Sequence, residues 1–564
     1  MTVKQCKIWH RRLWMGGSLL TLALTAVAMQ AQAPDFGSRH DFSFHPGNLV
    51  VSRSVYDNKA SNVTVGAILP PGCANTTGGC SASTGATNNG LFPWVFNNVL
   101  YDGSFGITSR LFLDQITPEG WPVNTLELPN SLQRGVTSTS DQLVTSFSSK
   151  SEGAINLSTS RKYISFIDYV APVNTIDASN SNTPGVNDPT NPVGEAYYRA
   201  VAVMDAHGHI HFTETNAYSG NNGRAAILND SNGQNLIYTA GNAGNGSNPQ
   251  PDGIVLGAGA QILDRLNEPE AKQNPGLPTP VGSFSVTLLG DKADKIGKDD
   301  NFRGLTLFNN VLYYTKGSGS NGVNTVYFLD TTGSACPKGT GVPSADATLP
   351  TTDIASTYTT KNGLASNLCI LNGFSITLAK ASSGVYYPFG LWFADANALY
   401  VADEGDGYTG GTDLYTHATG STGGLQKWVF DSTTGSWSLA YTLTNGLNIG
   451  TPYTVHGYPT GTNAATQLPW SPATDGLRNI TGRVNRDGTV TIWAITSTVS
   501  GGGDTGADPN KLVAITDKLS NTTAAGAAHE SFVTLRTAGF AEVLRGVSFT
   551  PGTGEEHGER GHSW

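Results

Sequence analysis

Four arginines, Arg224, Arg303, Arg478 and Arg545, stand at the same point of a recurring stretch, each just ahead of an apolar run, and Glu152 holds that point in a fifth copy. Guanidinium groups held in one register can grip carboxylate, sulfate or phosphate in bidentate fashion. In an acidic chain they would also focus the local field. The same repetition is what fastening one repeat to the next requires, and fastening is the stronger expectation. If the set instead lines a pocket, Glu152 is its candidate catalytic carboxylate.

Two smaller sets have metal-like chemistry. Asp403, Asp406 and Asp413 lie in and after the turn Ala402-Asp403-Glu404-Gly405-Asp406-Gly407 and could offer oxygen ligands to Ca²⁺. The spacing is not that of an EF-hand, and capping of local N–H groups is the competing role. In His207-Gly208-His209-Ile210-His211, the second and third imidazoles share a strand face and could take zinc or copper. Only Asp205 and Glu214 are near enough to complete such a set, so an exposed hairpin is favoured. Among the tryptophans, Trp392, Trp428 and Trp493 sit in strand-like runs and read as packing. Trp94, Trp121 and Trp470 lie near prolines in loops and could stack on sugar rings. There is no Gly-x-Ser-x-Gly elbow, no His-Glu-x-x-His, no Gly-Lys-Ser/Thr phosphate loop and no Cys-x-x-Cys-His. A protein built of repeats can gather paired carboxylates from separate repeats, so spacing along the chain does not identify them.

Short strands must position these residues. The chain has 68 glycines among 564 residues and only 13% charged residues. Its β-branched and aromatic runs are separated by Gly, Asn, Asp and Pro, which is a composition of strands and turns rather than helices. Strand starts recur at Glu152-Gly153, Arg224-Ala225, Arg303-Gly304, Phe389-Gly390, Arg478-Asn479 and Arg545-Gly546. The interval is about 65 to 90 residues, against roughly 40–50 for a compact propeller blade. The excess falls in loops such as 241–259, 337–364 and 448–475. After each start come further strands, for example Ala398–Ala402, Leu425–Phe430 and Ser438–Leu443. Asp487-Gly488 marks a hairpin between Thr481–Val484 and Val490–Ile495.

The last copy, Leu544–Thr550, has no partners after it. Asn48–Val55, Arg110–Asp114 and Asn124–Leu128 supply three strands at the other end of the chain. One strand from the C-terminal side and three from the N-terminal side make a complete blade and close a ring. The sequence therefore predicts an all-β fold, a single β-propeller over residues 47–551. Six blades are expected. Seven is the alternative if Gln142–Phe147 hides an extra strand, and an open β-helix or two β-sandwiches remains open as well.

Residues 1–33 have the form of an export leader: Lys4, Lys7, Arg11 and Arg12, an apolar run from Leu13 to Met29, then Ala31-Gln32-Ala33. Residues 34–46 read as a lead-in and 552–564 as a polar tail. Taking the leader's four basic residues from the 33 Lys and Arg leaves 29 against 43 Asp and Glu, a formal charge of −14. That charge argues against nucleic acid and anionic membrane as partners. Cys6 leaves with the leader. The remaining Cys73, Cys80, Cys336 and Cys369 suit disulfides in an exported chain, with Cys73–Cys80 and Cys336–Cys369 the favoured pairing. A secreted or periplasmic monomer with no membrane span is expected.

The stretches Asn48–Val55, Leu113–Leu128, Ser151–Tyr169, Arg199–Gly208, Ala398–Asp406, Gly424–Phe430, Leu477–Val490 and Leu544–Pro551 resemble a group of secreted bacterial proteins read as propellers, many ending in a PEP-CTERM sorting tail. The resemblance implies a propeller and export. It implies no reaction, because none is established for the group. The Pro-Glu-Pro tail itself is absent here.

Two functional classes follow. One is a binding or scaffold protein for an extracellular glycan, polymer or protein. The other is an extracellular polysaccharide- or polyanion-degrading enzyme, a hydrolase or lyase, with its site at one mouth of the channel. The fold hosts both roles, and binding is the favoured reading because no catalytic motif stands out, with the enzyme as the alternative.

Overall fold

The computed structural model describes residues 42–57, 106–136, 141–147, 149, 151–186, 193–242, 258–265, 270–271, 280–286, 300–337, 339–352, 354, 365–463, 467–502 and 506–554. The leader, Cys73, Cys80 and Trp94 lie outside them. The strands belong to the unit Phe42–Trp564.

Alternating side chains and turn residues set each hairpin. At Asp487-Gly488 the glycine takes φ +79°, and the Asp487 carboxylate accepts from the N–H and hydroxyl of Thr489 at 3.0 and 2.7 Å. That turn fixes the register Val484↔Val490 and Arg483↔Thr491.

Among the described residues the pairings gather most of the strands into six antiparallel sets of four, and the fold is an all-β propeller. The first set joins the two ends of the chain. Leu49–Val55 pairs with Thr108–Ile116 on one side and with Glu542–Phe549 on the other, and Pro122–Glu127 lies outermost. The second set is Asn156–Leu157, Tyr163–Tyr169, Arg199–Asp205 and Ile210–Thr215. The third is Gly223–Asn229, Leu236–Gly241, Ala260–Asp264 and Pro280–Val286. The fourth is Leu305–Phe308, Val311–Lys316, Thr325–Leu329 and Ala365–Leu371. The fifth is Pro388–Asp395, Ala398–Asp403, Gly424–Asp431 and Ser436–Leu443. The sixth is Ala473–Val484, Thr489–Val499, Lys511–Lys518 and Val533–Thr537. Among the described residues the hydrogen-bonded sheets number four, because bridging pairings stitch the first set to the second and the third to the fourth. The segment that might have hidden a further blade supplies only Val144–Ser146, a bridge between Thr108–Ile116 and Tyr163–Tyr169.

The core lies in the seams between sets. Val50, Leu111 and Leu113 of the first meet Ile164, Phe166 and Ala202 of the second. Ile167 and Val201 meet Leu228 and Ile237 of the third. The third, fourth and fifth share one cluster that includes Tyr238, Phe328 and Val401. Tyr400 and Leu425 meet Ile492 and Val513 of the sixth, and Trp493 and Leu512 meet Leu49 and Phe549 of the first. Neighbouring sets therefore bury their inner strands against one another, while outermost strands such as Pro122–Glu127 and Val533–Thr537 stay exposed. Cys336 and Cys369 are disulfide-bonded, with Cα atoms 5.8 Å apart.

Candidate functional site at the two ends of the channel

One innermost strand from each set faces the axis. Three residues after each repeated start come Ile155, Ile227, Thr306, Trp392, Thr481 and Ser548, and all six line a single central cavity of about 250 Å³. The starts themselves gather at one end of this channel. The C-terminal ends of the inner strands open at the other.

At the first end the repeated arginines are buried, none more than 6% exposed. Arg545 donates to the carbonyls of Ser146 and Phe147 at 2.8 and 2.7 Å and to that of Ser149, and its Nε donates to Ser54 Oγ. It thus ties the closing strand to the lead-in of the second set. Arg224 donates to the Phe302 carbonyl at 2.7 Å and to Asn301, reaching from the third set to the fourth. Arg303 donates to Ser151 Oγ at 2.6 Å and to Ser318, reaching past the third set to the second. Arg478 pairs with Glu404 of the fifth set at 3.3 Å. Burial pulls the Arg224 guanidinium well below its ordinary pKa, and the neighbouring Arg303 charge adds to the shift. Burial lowers Arg303 as well.

Glu152 is fully buried and accepts from the Tyr169 hydroxyl and, at 2.8 Å, from Asn222. Gly304, Gly390 and Gly546 let the inner strands touch. A side chain at Gly390 would meet the Arg478 carbonyl, and one at Gly304 or Gly546 would collide with the Phe389 or Gly153 carbonyl. The arginines, the glycines and Glu152 thus form a fastened polar plug.

Beside Arg478 lies a group of carboxylates. Asp403 is buried and accepts from the N–H groups of Tyr387 and Gly405, both at 3.0 Å, and from Gln426 at 3.1 Å. Burial raises its pKa to about 6. Asp475, also buried, accepts from the Gly407 N–H at 2.9 Å. Burial, with Asp406, Glu404 and Asp403 nearby, raises it to about 7. Asp406 bonds the His417 ring at 2.6 Å. Asp413 precedes the short helix Leu414–Ala418, and its carbonyl accepts from the His417 N–H. The carboxylates of Asp403 and Asp406 have different partners, and Asp413 is bonded here through its carbonyl. Among the described residues no group of three or more His, Cys, Asp or Glu is arranged to hold a metal ion.

The second end is open. A cavity of about 1090 Å³ continues from the channel past Trp392, Phe308, Phe393 and Phe549 to a rim carrying Arg161, Arg483 and Arg486. Phe308 and Phe393 stack with centroids 4.6 Å apart and planes 8° from parallel. Trp392 is half-buried, and its indole lies against Gly482, where a Cβ would approach it to 2.7 Å. That glycine is thus required by close approach. Trp392 packs against the core between the fifth and sixth sets, as expected, and is also a wall of the mouth. Trp428 and Trp493 do pack, at 6% and 1% exposure. Trp470 is buried with Val455 and Tyr458 rather than presented to ligand, and Trp121 is exposed.

The mouth residues were missed because no motif marks them. The channel lining lies three residues on from each start, two beyond the residue that follows it (such as Gly304, Gly390 and Gly546), and alternate strand residues share a face. His209 bonds Asp205 at 2.9 Å within its own hairpin turn. Lys427 was also missed. It is fully buried and bonds Asp517, Tyr441 and the carbonyls of Lys518 and Leu519 at 2.9–3.1 Å across the fifth and sixth sets.

No protein-family model matches the chain, and no curated protein matches it. Solved structures do. NanB with Optactamide aligns over 76% of this chain at 8% identity and a TM-score of 0.32; the chain spans 64% of that protein. An ulvan lyase from a new family of polysaccharide lyase aligns over 79% of this chain and 91% of its own, at 11% identity and 0.29. The parainfluenza virus 5 hemagglutinin-neuraminidase ectodomain aligns over 78% and 75%, at 11% and 0.27. At these scores the likeness carries no argument about activity.

Proposed function

We propose that the chain is an exported, six-bladed β-propeller that binds an extracellular glycan at the open mouth of its channel rather than cleaving one. The observation that carries this reading is the makeup of the mouth. It offers an aromatic wall and three guanidiniums but a single carboxylate, Asp487, which is occupied in its own turn. Hydrolysis of a glycosidic bond ordinarily needs two carboxyl groups about 5–10 Å apart across the bond. At the opposite end Glu152 and Glu404 are buried and bonded, out of reach of a polymer. The alternative, a polysaccharide- or polyanion-degrading enzyme working through Glu152, needs that end to open.

Export is supported by the leader pattern and by the Cys336–Cys369 disulfide, which suits an oxidising compartment. Among the described residues no helix is long and apolar enough to cross a membrane. The test is a glycan array with product analysis on each hit. Binding without new products, lost in Trp392→Ala, supports the reading. Release of shortened products, abolished in Glu152→Gln, overturns it.

A further inference from the structure

We propose that the mouth takes the end of an acidic glycan chain, its terminal sugar entering the channel and its following carboxylates or sulfates lying against the arginine rim. This rests on the binding reading above and sharpens it. Arg161, Arg483 and Arg486 face a mouth whose lining holds one acid, and none of the three forms an ion pair with a described residue. Arg161 is oriented by its Nε, which donates to the Thr553 carbonyl at 2.8 Å. Arg483 lies 5.5 Å over the Trp493 ring. Their remaining N–H groups match planar or tetrahedral oxyanions. In a chain of formal charge −10, three cations with no ion-pair partner among the described residues stand around one opening and form a local positive field that selects acidic ligands.

The aromatic wall fixes the class of molecule. A sugar ring presents an apolar C–H face to an aromatic side chain and hydroxyls to the rim, and the half-buried Trp392 indole is placed for that contact. The closed plug fixes the mode. Behind the mouth the 250 Å³ chamber is lined by Thr306, Thr481 and Ser548, and at the opposite end of the inner strands the repeated arginines are buried. A polymer cannot thread through, so it must present an end.

The test is calorimetry on the full chain with four hexameric probes: oligogalacturonate for carboxylate, a sulfated galactan for sulfate, cellohexaose as the neutral control and hexaglutamate as an acidic non-glycan. Galacturonan of about ten times the length is then added. Expected is binding of an acidic glycan and weak or no binding of the other two. One protein should bind per chain at either length. Arg486→Ala should weaken binding about tenfold, the loss expected for one charge-assisted contact, and added salt should weaken it further. Which acidic hexamer binds tighter tells carboxylate from sulfate.

Equal binding of cellohexaose and loss in Trp392→Ala overturns the acidic class and leaves the mouth as the site. Hexaglutamate binding as tightly as the acidic glycans overturns the glycan class. Several proteins per long chain overturns end-on entry. Acidic glycan binding unchanged in both Arg486→Ala and Trp392→Ala, with melting unchanged, overturns the site itself.

Discussion

The two ends of one channel carry the same functional group in opposite roles. At the plugged end the guanidiniums of Arg224, Arg303, Arg478 and Arg545 are buried, and those of Arg224 and Arg545 are spent on carbonyls across seams. At the open end Arg161, Arg483 and Arg486 are exposed, with no carboxylate partner among the described residues. An arginine's role is set by what surrounds it, because a buried charge must find hydrogen-bond partners inside the fold while an exposed one stays available. The repeated arginines, the more conspicuous set in the sequence, are the fasteners.

That contrast can be broken by substitution. Arg545→Ala is expected to have the largest effect. It removes the guanidinium bonds to the carbonyls of Ser146, Phe147 and Ser149 at the closing seam, at a cost of roughly 3–5 kcal/mol. Denaturant melts measure it, and a loss below about 1 kcal/mol would show that the plug does not hold the ring.

The carboxylates beside the plug sharpen the comparison through pH. Asp475 and Asp403 keep their protons in the folded state up to about pH 7 and about pH 6. In the unfolded chain they release them near pH 4. The folded state therefore binds more protons across that window, and stability falls as pH rises from about 4 to about 7. The melting temperature should drop by roughly 5 °C between pH 5 and pH 7.5. Asp475→Asn should flatten the drop. An unchanged pH profile in that variant would contradict the buried, protonated state.

At the open end, Trp392→Ala should reduce glycan affinity by about 10–100-fold, since it removes the stacking face. Arg486→Ala should change stability by no more than about 0.5 kcal/mol, because the side chain is exposed. A large stability loss there, seen in a thermal melt, would erase the distinction between the two ends.

Much of the fold was legible beforehand. The pairing of Leu544–Thr550 with Asn48–Val55 was readable because a lone strand after complete repeats needs partners, and only the N-terminal strands lacked an inner neighbour. The Asp487-Gly488 hairpin and the Cys336–Cys369 link were readable from turn chemistry and from cysteine parity. Less of the site was legible. Trp392 looked like any strand tryptophan. Lys427, alternating with Trp428 in a strand, gave no sign that it would be fully buried against Asp517, ninety residues away.

The sequence alone determined strand and turn content, the repeat and its closure, because these follow from local periodicity and from the cost of an unpaired edge. Tertiary structure decided which end of the channel is sealed and which is open. That outcome depends on seam contacts between residues far apart in the chain, such as Arg303 with Ser151 and Arg545 with Phe147. Only the curvature of the ring brings those atoms within a hydrogen bond's length, and no local pattern encodes it.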